Sequence, residues 1–375
     1  VMKKILSILT VGCALTLSSC EDWLDKYPLA QMSPETFFSN ENELQAFSNT
    51  FYTIFPGDGL YNEGYDNIVK NEIAAEMRDG RTIPASGSGW TWTDLRKFNT
   101  LLEYSGNCKD TDIRNRYDAV ARFFRAYFYF EKVKRFGDVP WYDEPIDPDD
   151  DEQLYKGRDP RDYVMQKVLE DLDFAATWCS KASKYVNTNV INRYVALALK
   201  SRICLYEGTW RKYHGLDGSE KWLRACVAAS EELMGDSPYS LVSTAGEETT
   251  NYSKVFKSEE PQYTEVILAN EFNTTLNRFH DASWYYASGS YGNRNSGPKA
   301  FVNMYLNLDG TRFTDKDGYN KTQFKDEFAG RDYRLRQTFI TPYYVKKVAG
   351  KETNEFAKVF PGLTTVSYTH LTLPT

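Results

Sequence analysis

The sequence has few histidines and lacks the short motifs that mark several common classes of enzyme. Only 3 of its 375 residues are histidine, and His214, His280 and His370 are far apart along the chain. The patterns HExxH, GxSxG, GxGxxG and Walker A do not occur. These absences argue against zinc proteases, α/β hydrolases and P-loop enzymes, and we expect no cofactor. Carboxylates are abundant, so the composition leaves a glycosidase pair open.

The sequence also has no excess of basic residues over acidic ones and no long hydrophobic run. Lys and Arg number 45 against 52 Asp and Glu, which gives a net charge of −7 and argues against nucleic acid as a partner. The apolar stretch at 5–17 is shorter than the roughly 20 residues that span a bilayer as a helix. Cysteine is scarce, and the spacing of the four cysteines beyond residue 20 matches no zinc site. We expect these four to be small core residues: Cys108, Cys179, Cys204 and Cys226.

The first residues have the pattern of an export signal. A methionine and two lysines at 2–4 precede the apolar stretch, which is typical of a secretory signal peptide at 1–19. The following "LSSC" resembles the bacterial lipobox, and the resemblance implies that Cys20 is lipidated and begins a tether at 20–39. More than one acyl chain on this cysteine would give durable membrane attachment. The acidic residues after Cys20 resemble a surface-export signal, with a solvated tether as the alternative.

Hydrophobic periodicity predicts helices over most of the next two hundred residues. A scaffold at 40–240 contains two irregular insertions, at 56–93 and 141–157. Its successive helices suggest pairs of tetratricopeptide type. Five helices are predicted. The first begins near Asn40, the second runs from Arg114 to Arg135, and the third begins at Asp159-Pro160. The fourth runs from Val190 to Glu207 with a stop at Gly208, and the fifth runs from Ser219 to Gly235.

The helical periodicity of the hydrophobic residues ends after the predicted scaffold. Residues 241–362 are rich in Gly, Asn, Tyr and Thr, with short strand-like pieces such as "TEVILANEF" at 264–272. The fold class is therefore mainly α, with a long irregular region and a few short strands. The acidic run "DPDDDE" at 147–152 resembles a calcium loop, but it lacks the required glycine and the final glutamate, which favours a solvated linker.

Aromatic residues are unusually abundant, with 27 Tyr and 8 Trp, and many lie in the irregular segments. Sugars present apolar C–H faces and polar rims, so Tyr and Trp beside Asn, Asp and Arg suit their recognition. The alternative is that some of these rings pack the loops onto the scaffold. The candidate ligand contacts are Arg78, Asp79, Arg81, Trp90 and Trp92 in the first loop, and Trp284, Tyr285, Tyr286, Tyr291 and Asn293 in the second.

Several stretches, in order along the chain, resemble the SusD/RagB family of outer-membrane nutrient-binding lipoproteins. They include "RFFRAYFYFEKVKRFGDVPWYDEP", "NRYVALALKSRICLYEGTW" and "GPKAFVNMYLNLDGTRF". The resemblance implies a scaffold of tetratricopeptide-like helix pairs that carries an irregular loop region. It also implies capture of glycans, or in one branch peptides, as a lid on a TonB-dependent, SusC-like transporter.

The resemblance therefore implies a lipid-anchored, surface-exposed outer-membrane protein that binds oligosaccharides without catalysis. A peptide-capturing relative and a lipid-anchored glycosidase remain the alternatives. The family pattern continues into further C-terminal helices that this sequence does not show. Since 363–375 has neither family pattern nor helix signal, we expect a C-terminally truncated chain with a non-native tail there.

Overall fold

The described part of the chain is mainly helical. A computed structural model describes residues 36–56, 67–69, 89–258, 260–280 and 296–342, and the backbone of 346–348 and 351–353. Short strands occur as one antiparallel hairpin, so the predicted fold class is confirmed. Among the helices of these residues, none has both the length and the apolarity to cross a membrane.

The chain divides into two compact units. The first comprises residues 1–52 with 92–179, and the second comprises 53–91 with 180–375. The predicted scaffold at 40–240 includes helices of both units, and its limits remain a prediction.

The first unit is built on two long helices that run antiparallel. Arg125 of α3 (Thr111–Phe136) pairs with Asp171 of α5 (Arg161–Trp178), and an isolated antiparallel bridge joins Val139 to Asp159 just beyond the α3 end. The described helices of this unit are α1 Glu41–Ser48, α2 Thr93–Tyr104, α3 Thr111–Phe136, α4 Asp151–Leu154 and α5 Arg161–Trp178.

Helix ends in this unit follow the local signals in the sequence. The side chain of Asn40 accepts a hydrogen bond from the Glu43 backbone N–H and caps α1. Asp110 caps α3 in the same way. Gly137 ends α3 with φ of 73°, a left-handed conformation that glycine adopts without strain. The predicted helix over 114–135 is therefore confirmed, with slightly wider bounds.

The core of the first unit is aromatic. Phe51, Phe98 and Phe124 are fully buried, and their ring centroids lie 4.9 to 5.8 Å apart. Edge-to-face and offset contacts of this kind add to the free energy gained from burial. The aromatic residues of α3 thus form core, as their helical spacing predicts.

A buried polar network attaches the insertion at 141–157 to the helices. Arg125 donates two hydrogen bonds to the Asp171 carboxylate, at 2.7 and 2.8 Å, and one to the Asn99 side chain at 3.2 Å. The Asn99 amide donates to the backbone carbonyls of Tyr142 and Glu144 at 3.0 and 3.1 Å. Buried polar groups are thereby satisfied while the insertion is held against α2 and α3.

The second unit contains an antiparallel helix pair and several short elements. Tyr194 near the start of α6 (Arg193–Tyr213) donates to the Asp236 carbonyl at the end of α7 (Ser219–Asp236), whereas Ser219 at the start of α7 donates to the Gly208 carbonyl. Its described elements are α6 Arg193–Tyr213, α7 Ser219–Asp236, α8 Asn251–Lys257, α9 Lys299–Met304, α10 Tyr333–Thr338, β1 Lys346–Val348 and β2 Lys351–Thr353.

Two local predictions in this unit are wrong. Helix α6 continues through Gly208 to Tyr213, because this glycine lets α7 approach closely rather than ending the helix. The stretch at 264–272 forms turns and bends instead of a strand. Its backbone groups are used elsewhere: the Ala269 N–H donates to the Asn189 side chain, and the Thr264 carbonyl accepts from Ser240 N–H.

Candidate functional site

Two of the predicted ligand contacts lie within the described residues, Trp90 and Trp92. The lipidation residue Cys20 lies outside them. So do the other predicted contacts: Arg78, Asp79, Arg81, Trp284, Tyr285, Tyr286, Tyr291 and Asn293.

Trp90 lies in a turn of the second unit and is 40% exposed to solvent. The preceding Gly89 has φ of 84°, and the Thr91 N–H donates to the Gly89 carbonyl at 2.9 Å. This left-handed conformation favours glycine over any residue with a Cβ. The turn leaves a large part of the indole accessible, as stacking on a sugar ring requires.

Trp92 belongs to the first unit and is half-buried. Its ring makes edge-to-face contacts with Phe128 and Tyr142, at centroid distances of 5.6 and 5.8 Å. The ammonium nitrogen of Lys132 lies 5.8 Å from the same ring. Desolvation by burial lowers the pKa of Lys132. Trp92 therefore supports the α2–α3 contact and still keeps some accessible surface.

A backbone bridge joins the first predicted loop segment to the residue that follows the second. Val69, in the first loop segment, and Ser296, just after the second, form an isolated antiparallel bridge. Each donates its backbone N–H to the other's carbonyl at 2.8 Å. This pairing joins segments more than two hundred positions apart in sequence, and both lie in the second unit.

The stem of the second loop is also fixed by a close approach at Gly297. A Cβ on Gly297 would overlap Cε1 of Phe339. Phe339 in turn contacts Phe301 and Tyr305 by ring edges, at 6.0 and 6.3 Å. Only glycine allows the backbone to pass so near this aromatic cluster.

A further contact connects the start of the first loop to the irregular region. The Asn270 side-chain amide donates to the Pro56 carbonyl at 3.3 Å. Close by in sequence, Phe272 contacts His280 edge-to-face at 5.2 Å, and the Arg278 guanidinium lies 5.1 Å from the Phe272 ring. The segment that leads into the second aromatic loop thus has ring contacts around Phe272, while residues 274–280 are exposed to solvent.

Asn189, just before α6, anchors that segment to the helical part of the second unit. It accepts from the Ala269 N–H at 2.8 Å and donates to Tyr263 Oη at 2.9 Å and to Glu271 Oε1 at 2.5 Å. Tyr263 also donates to Glu271. Burial, followed by the hydrogen bond to the Glu271 carboxylate, raises the pKa of Tyr263 to about 12.

Sequence reasoning missed Asn189 and the Val69–Ser296 bridge. The "NTN" at 187–189, directly before a helix, is a turn signal that could have drawn attention to Asn189. No comparable signal marks the bridge, because its two partners carry no special residue type.

The known proteins that resemble this sequence are described as SusD-like. No family model matches the chain. A SusD-like protein of Formosa agariphila is 23% identical over 314 residues, which are 76% of this chain and 55% of that protein. A second SusD-like protein of the same bacterium is 24% identical over 196 residues, which are 47% of this chain and 38% of that protein. This sequence similarity supports a SusD-like assignment.

Solved structures share the fold. A SusD-like protein of Bacteroides fragilis superposes with a TM-score of 0.63 at 20% identity, over 85% of this chain and 64% of that one. A SusD-like carbohydrate-binding protein of the same species gives 0.60 at 16% identity, over 85% and 62%. The chain spans about half the length of the curated relatives that it matches.

One aspartate of the acidic run and one histidine have local structural contacts. Asp150 in the acidic run at 147–152 caps α4 by accepting from Gln153 N–H. His214 stacks on Trp210 at a centroid distance of 3.8 Å. Within the described ranges, no group of three or more His, Cys, Asp or Glu side chains is placed to hold a metal ion.

Proposed function

We propose that this chain is a cell-surface lipoprotein that binds oligosaccharides and passes them to a TonB-dependent, SusC-like transporter of the outer membrane. Sequence similarity to SusD-like proteins supports this proposal, as does the structural similarity to a SusD-like carbohydrate-binding protein. The proposed lipid anchor on Cys20 would keep the protein at the membrane surface. Carbohydrate is bound without catalysis and without a cofactor.

The bridge between Val69 and Ser296 carries the glycan-binding part of the proposal. It ties together the stems of the two loop segments that hold nearly all of the predicted aromatic and polar contacts. Rings from both loops can then serve one ligand, with Trp and Tyr stacking on sugar faces and Arg, Asp and Asn binding hydroxyl groups. A shared stem favours binding by two loops, because loops held independently would lose more conformational entropy when the ligand binds.

The proposal is tested by offering the purified protein neutral oligosaccharides, acidic oligosaccharides and short peptides in parallel. Calorimetry measures binding, and chromatography of the same mixtures detects cleavage products. We expect binding of at least one oligosaccharide class with no products. Binding confined to peptides would favour the peptide-capturing alternative, and products formed at enzyme-like rates would favour the glycosidase.

Transfer to a transporter is tested in the membrane of the native host. Chemical cross-linking of outer membranes, followed by capture of this protein, should recover a TonB-dependent transporter in stoichiometric amounts. Recovery of other outer-membrane proteins alone would contradict this part of the proposal.

A further inference from the structure

Two exposed aromatic rings lie on one face of α8. Tyr252 and Phe256 are one helical turn apart, and their ring centroids are 5.1 Å apart at an interplanar angle of 63°. Phe256 is 71% exposed and Tyr252 is 37% exposed, whereas the neighbouring Asn251 and Ser253 are buried. Residues at i and i+4 share a helix face. The two rings therefore form one apolar surface that a ligand can reach.

Helix α10 is fixed beside this surface. The Gln337 side chain accepts from the Ser253 N–H at 2.9 Å and donates to the Glu248 carbonyl at 3.2 Å. Just after α9, the Tyr305 hydroxyl lies 3.3 Å from Oγ1 of Thr338 and donates to it. These bonds join three short elements that are distant in sequence, so the side chains on α8 and α10 have defined relative positions.

A cation from α10 borders the two rings. Burial raises the pKa of Tyr252, the nearby Tyr305 adds to the shift, and the Arg334 guanidinium opposes it. Electrostatic effects of this kind fall off with distance, so Arg334 and Tyr252 lie at the same surface. The Arg334 side chain is 59% exposed, which leaves its guanidinium accessible from solvent.

Arg334 is held in place and still has donors for a ligand. Its Nε lies 3.0 Å from both oxygens of Asp332, and Nη2 donates to the same carboxylate. Asp332 also caps α10 by accepting from the Arg334 backbone N–H at 2.8 Å. Within the part of the chain that the structure describes, Nη1 of Arg334 and the Tyr252 hydroxyl make no hydrogen bond. Both groups are therefore available to ligand hydroxyls.

The charges at this surface favour a neutral ligand. Asp332 balances the charge of Arg334. Besides burial, the Glu265 carboxylate helps to raise the pKa of Tyr252, so a second negative charge lies near this surface. An acidic sugar would compete with Asp332 for the guanidinium and would be repelled by Glu265. A neutral sugar offers C–H faces to the rings and hydroxyl groups to the polar edge.

We propose that Tyr252, Phe256 and Arg334 form a contact surface for neutral oligosaccharides, in addition to the contacts predicted in the aromatic loops. The inference rests on the proposed function, to which it adds a surface and a class of sugar. The rings stack on a sugar face, while Arg334 and the Tyr252 hydroxyl bind its hydroxyl groups. All three side chains belong to α8 and α10 of the second unit.

The first test offers the purified protein four neutral hexasaccharides, built from maltose, cellulose, xylan and mannan units, and the acidic hexagalacturonate. Calorimetry measures affinity, and hydrogen–deuterium exchange locates the contact. We expect at least one neutral hexasaccharide to bind and to slow exchange in peptides from 250–258 and 332–338. Hexagalacturonate should bind more weakly.

The second test removes one ring. Phe256→Ala should lower the affinity for that hexasaccharide roughly tenfold, the size of one ring contact, and abolish the protection of 250–258. Phe256→Trp keeps a ring and should bind as the wild type does. The matched control is Tyr213→Ala, because Tyr213 is an 80% exposed aromatic residue at the end of α6. It should leave affinity and protection unchanged.

The third test removes the cation. Arg334→Ala should lower the affinity by about tenfold, because the charge-assisted hydrogen bonds to the sugar are lost. Arg224→Ala is its control, since the Arg224–Glu220 pair is an exposed ion pair on α7. Thermal unfolding of every variant confirms that the protein measured is folded.

Several results would overturn this inference alone. They are hexasaccharide binding that leaves 250–258 and 332–338 unprotected, wild-type affinity in both Phe256→Ala and Arg334→Ala, or tighter binding of hexagalacturonate than of the neutral sugars. A wild-type dimer that Phe256→Ala dissociates without a change in affinity would assign the rings to a second copy of the chain. If the wild-type protein binds no oligosaccharide at all, the proposed function fails and the inference fails with it.

Discussion

Two tryptophans of the second unit differ sharply in exposure. Trp90 is 40% exposed on its glycine turn, whereas Trp222 of α7 is 3% exposed. We expect Trp90→Ala to weaken oligosaccharide binding with little change in melting temperature, since much of the indole is already exposed to solvent. Trp284→Ala should behave in the same way if its loop binds ligand.

The control for this prediction is Trp222→Ala, which should cost about 3–5 kcal/mol of unfolding free energy. Calorimetric titration and thermal unfolding of each variant give the two measurements. Loss of stability in Trp90→Ala comparable to that of the control would show that Trp90 packs the loop and leaves the ligand contact elsewhere.

Asp118 of α3 is the carboxyl group with the clearest pH effect. Burial raises its pKa to about 6, although a hydrogen bond with Ser105 and the charges of Arg114 and Arg122 oppose the shift. The folded state therefore binds a proton more tightly than the unfolded state, whose carboxyl has a pKa near 3.8. Its contribution to stability is present below about pH 4 and is lost as the pH rises to about 6.

Asp118→Asn removes this titration and should stabilise the protein at pH 7 by about 1–3 kcal/mol. Denaturant unfolding of both proteins between pH 4 and pH 7 measures the difference. The gain should shrink toward zero at the acidic end. A gain that is independent of pH would contradict the assignment to this carboxyl group.

At the scale of elements, the α6–α7 contact depends on a glycine. A Cβ on Gly208 would lie 2.8 Å from the Leu223 side chain and 3.1 Å from its backbone nitrogen. We expect Gly208→Ala to cost about 1–3 kcal/mol, because the helices must separate or Leu223 must leave its rotamer. Thermal or denaturant unfolding measures this cost.

Gly235, near the end of α7, is the matched control because a Cβ there meets no atom within 4 Å. Gly235→Ala should be neutral or stabilising by up to about 1 kcal/mol through helix propensity. Equal effects at the two glycines would mean that the close approach of α6 and α7 contributes nothing measurable.

The α3–α5 contact depends on the buried pair of Arg125 and Asp171. Asp171→Ala leaves the guanidinium buried without its carboxylate and should cost about 3–5 kcal/mol. Glu220→Ala is the control, because the Arg224–Glu220 pair is 78% and 77% exposed in its side chains. That variant should unfold at the wild-type denaturant concentration. A small effect of Asp171→Ala would show that another group compensates the Arg125 charge.

At the scale of the whole molecule, the proposed anchor decides where the protein acts. Cys20→Ala should abolish labelling by an alkyne fatty acid and release the protein from sedimenting membranes, since no acyl chain remains to be buried. Cys108→Ala serves as the control, as this thiol is buried in the first unit. Continued labelling of Cys20→Ala would contradict the lipobox interpretation.

The sequence by itself determined the helical class and the approximate starts of five described helices, but it did not predict the helix Thr93–Tyr104. Asn40, Asp110 and Asn192 satisfy backbone N–H groups locally, so the chain needs no distant partner to define these ends. The aromatic face of α3 also follows from the sequence, because helical periodicity places its aromatic rings on one side of the helix. The resemblance to the SusD/RagB family rests on the same local helix patterns, which are retained although the overall sequence identity to SusD-like relatives is low.

Tertiary structure decided the features that depend on a distant partner. Gly208 looks like a helix stop in sequence, and only the approach of Leu223 shows that it is a contact residue. The stretch at 264–272 has strand composition, but its backbone groups bond to the Asn189 side chain and to Ser240. The Val69–Ser296 bridge, on which the candidate site depends, joins two backbones whose hydrogen bonds do not depend on residue type. A pairing of this kind leaves no local trace, because backbone donors and acceptors are the same at nearly every position.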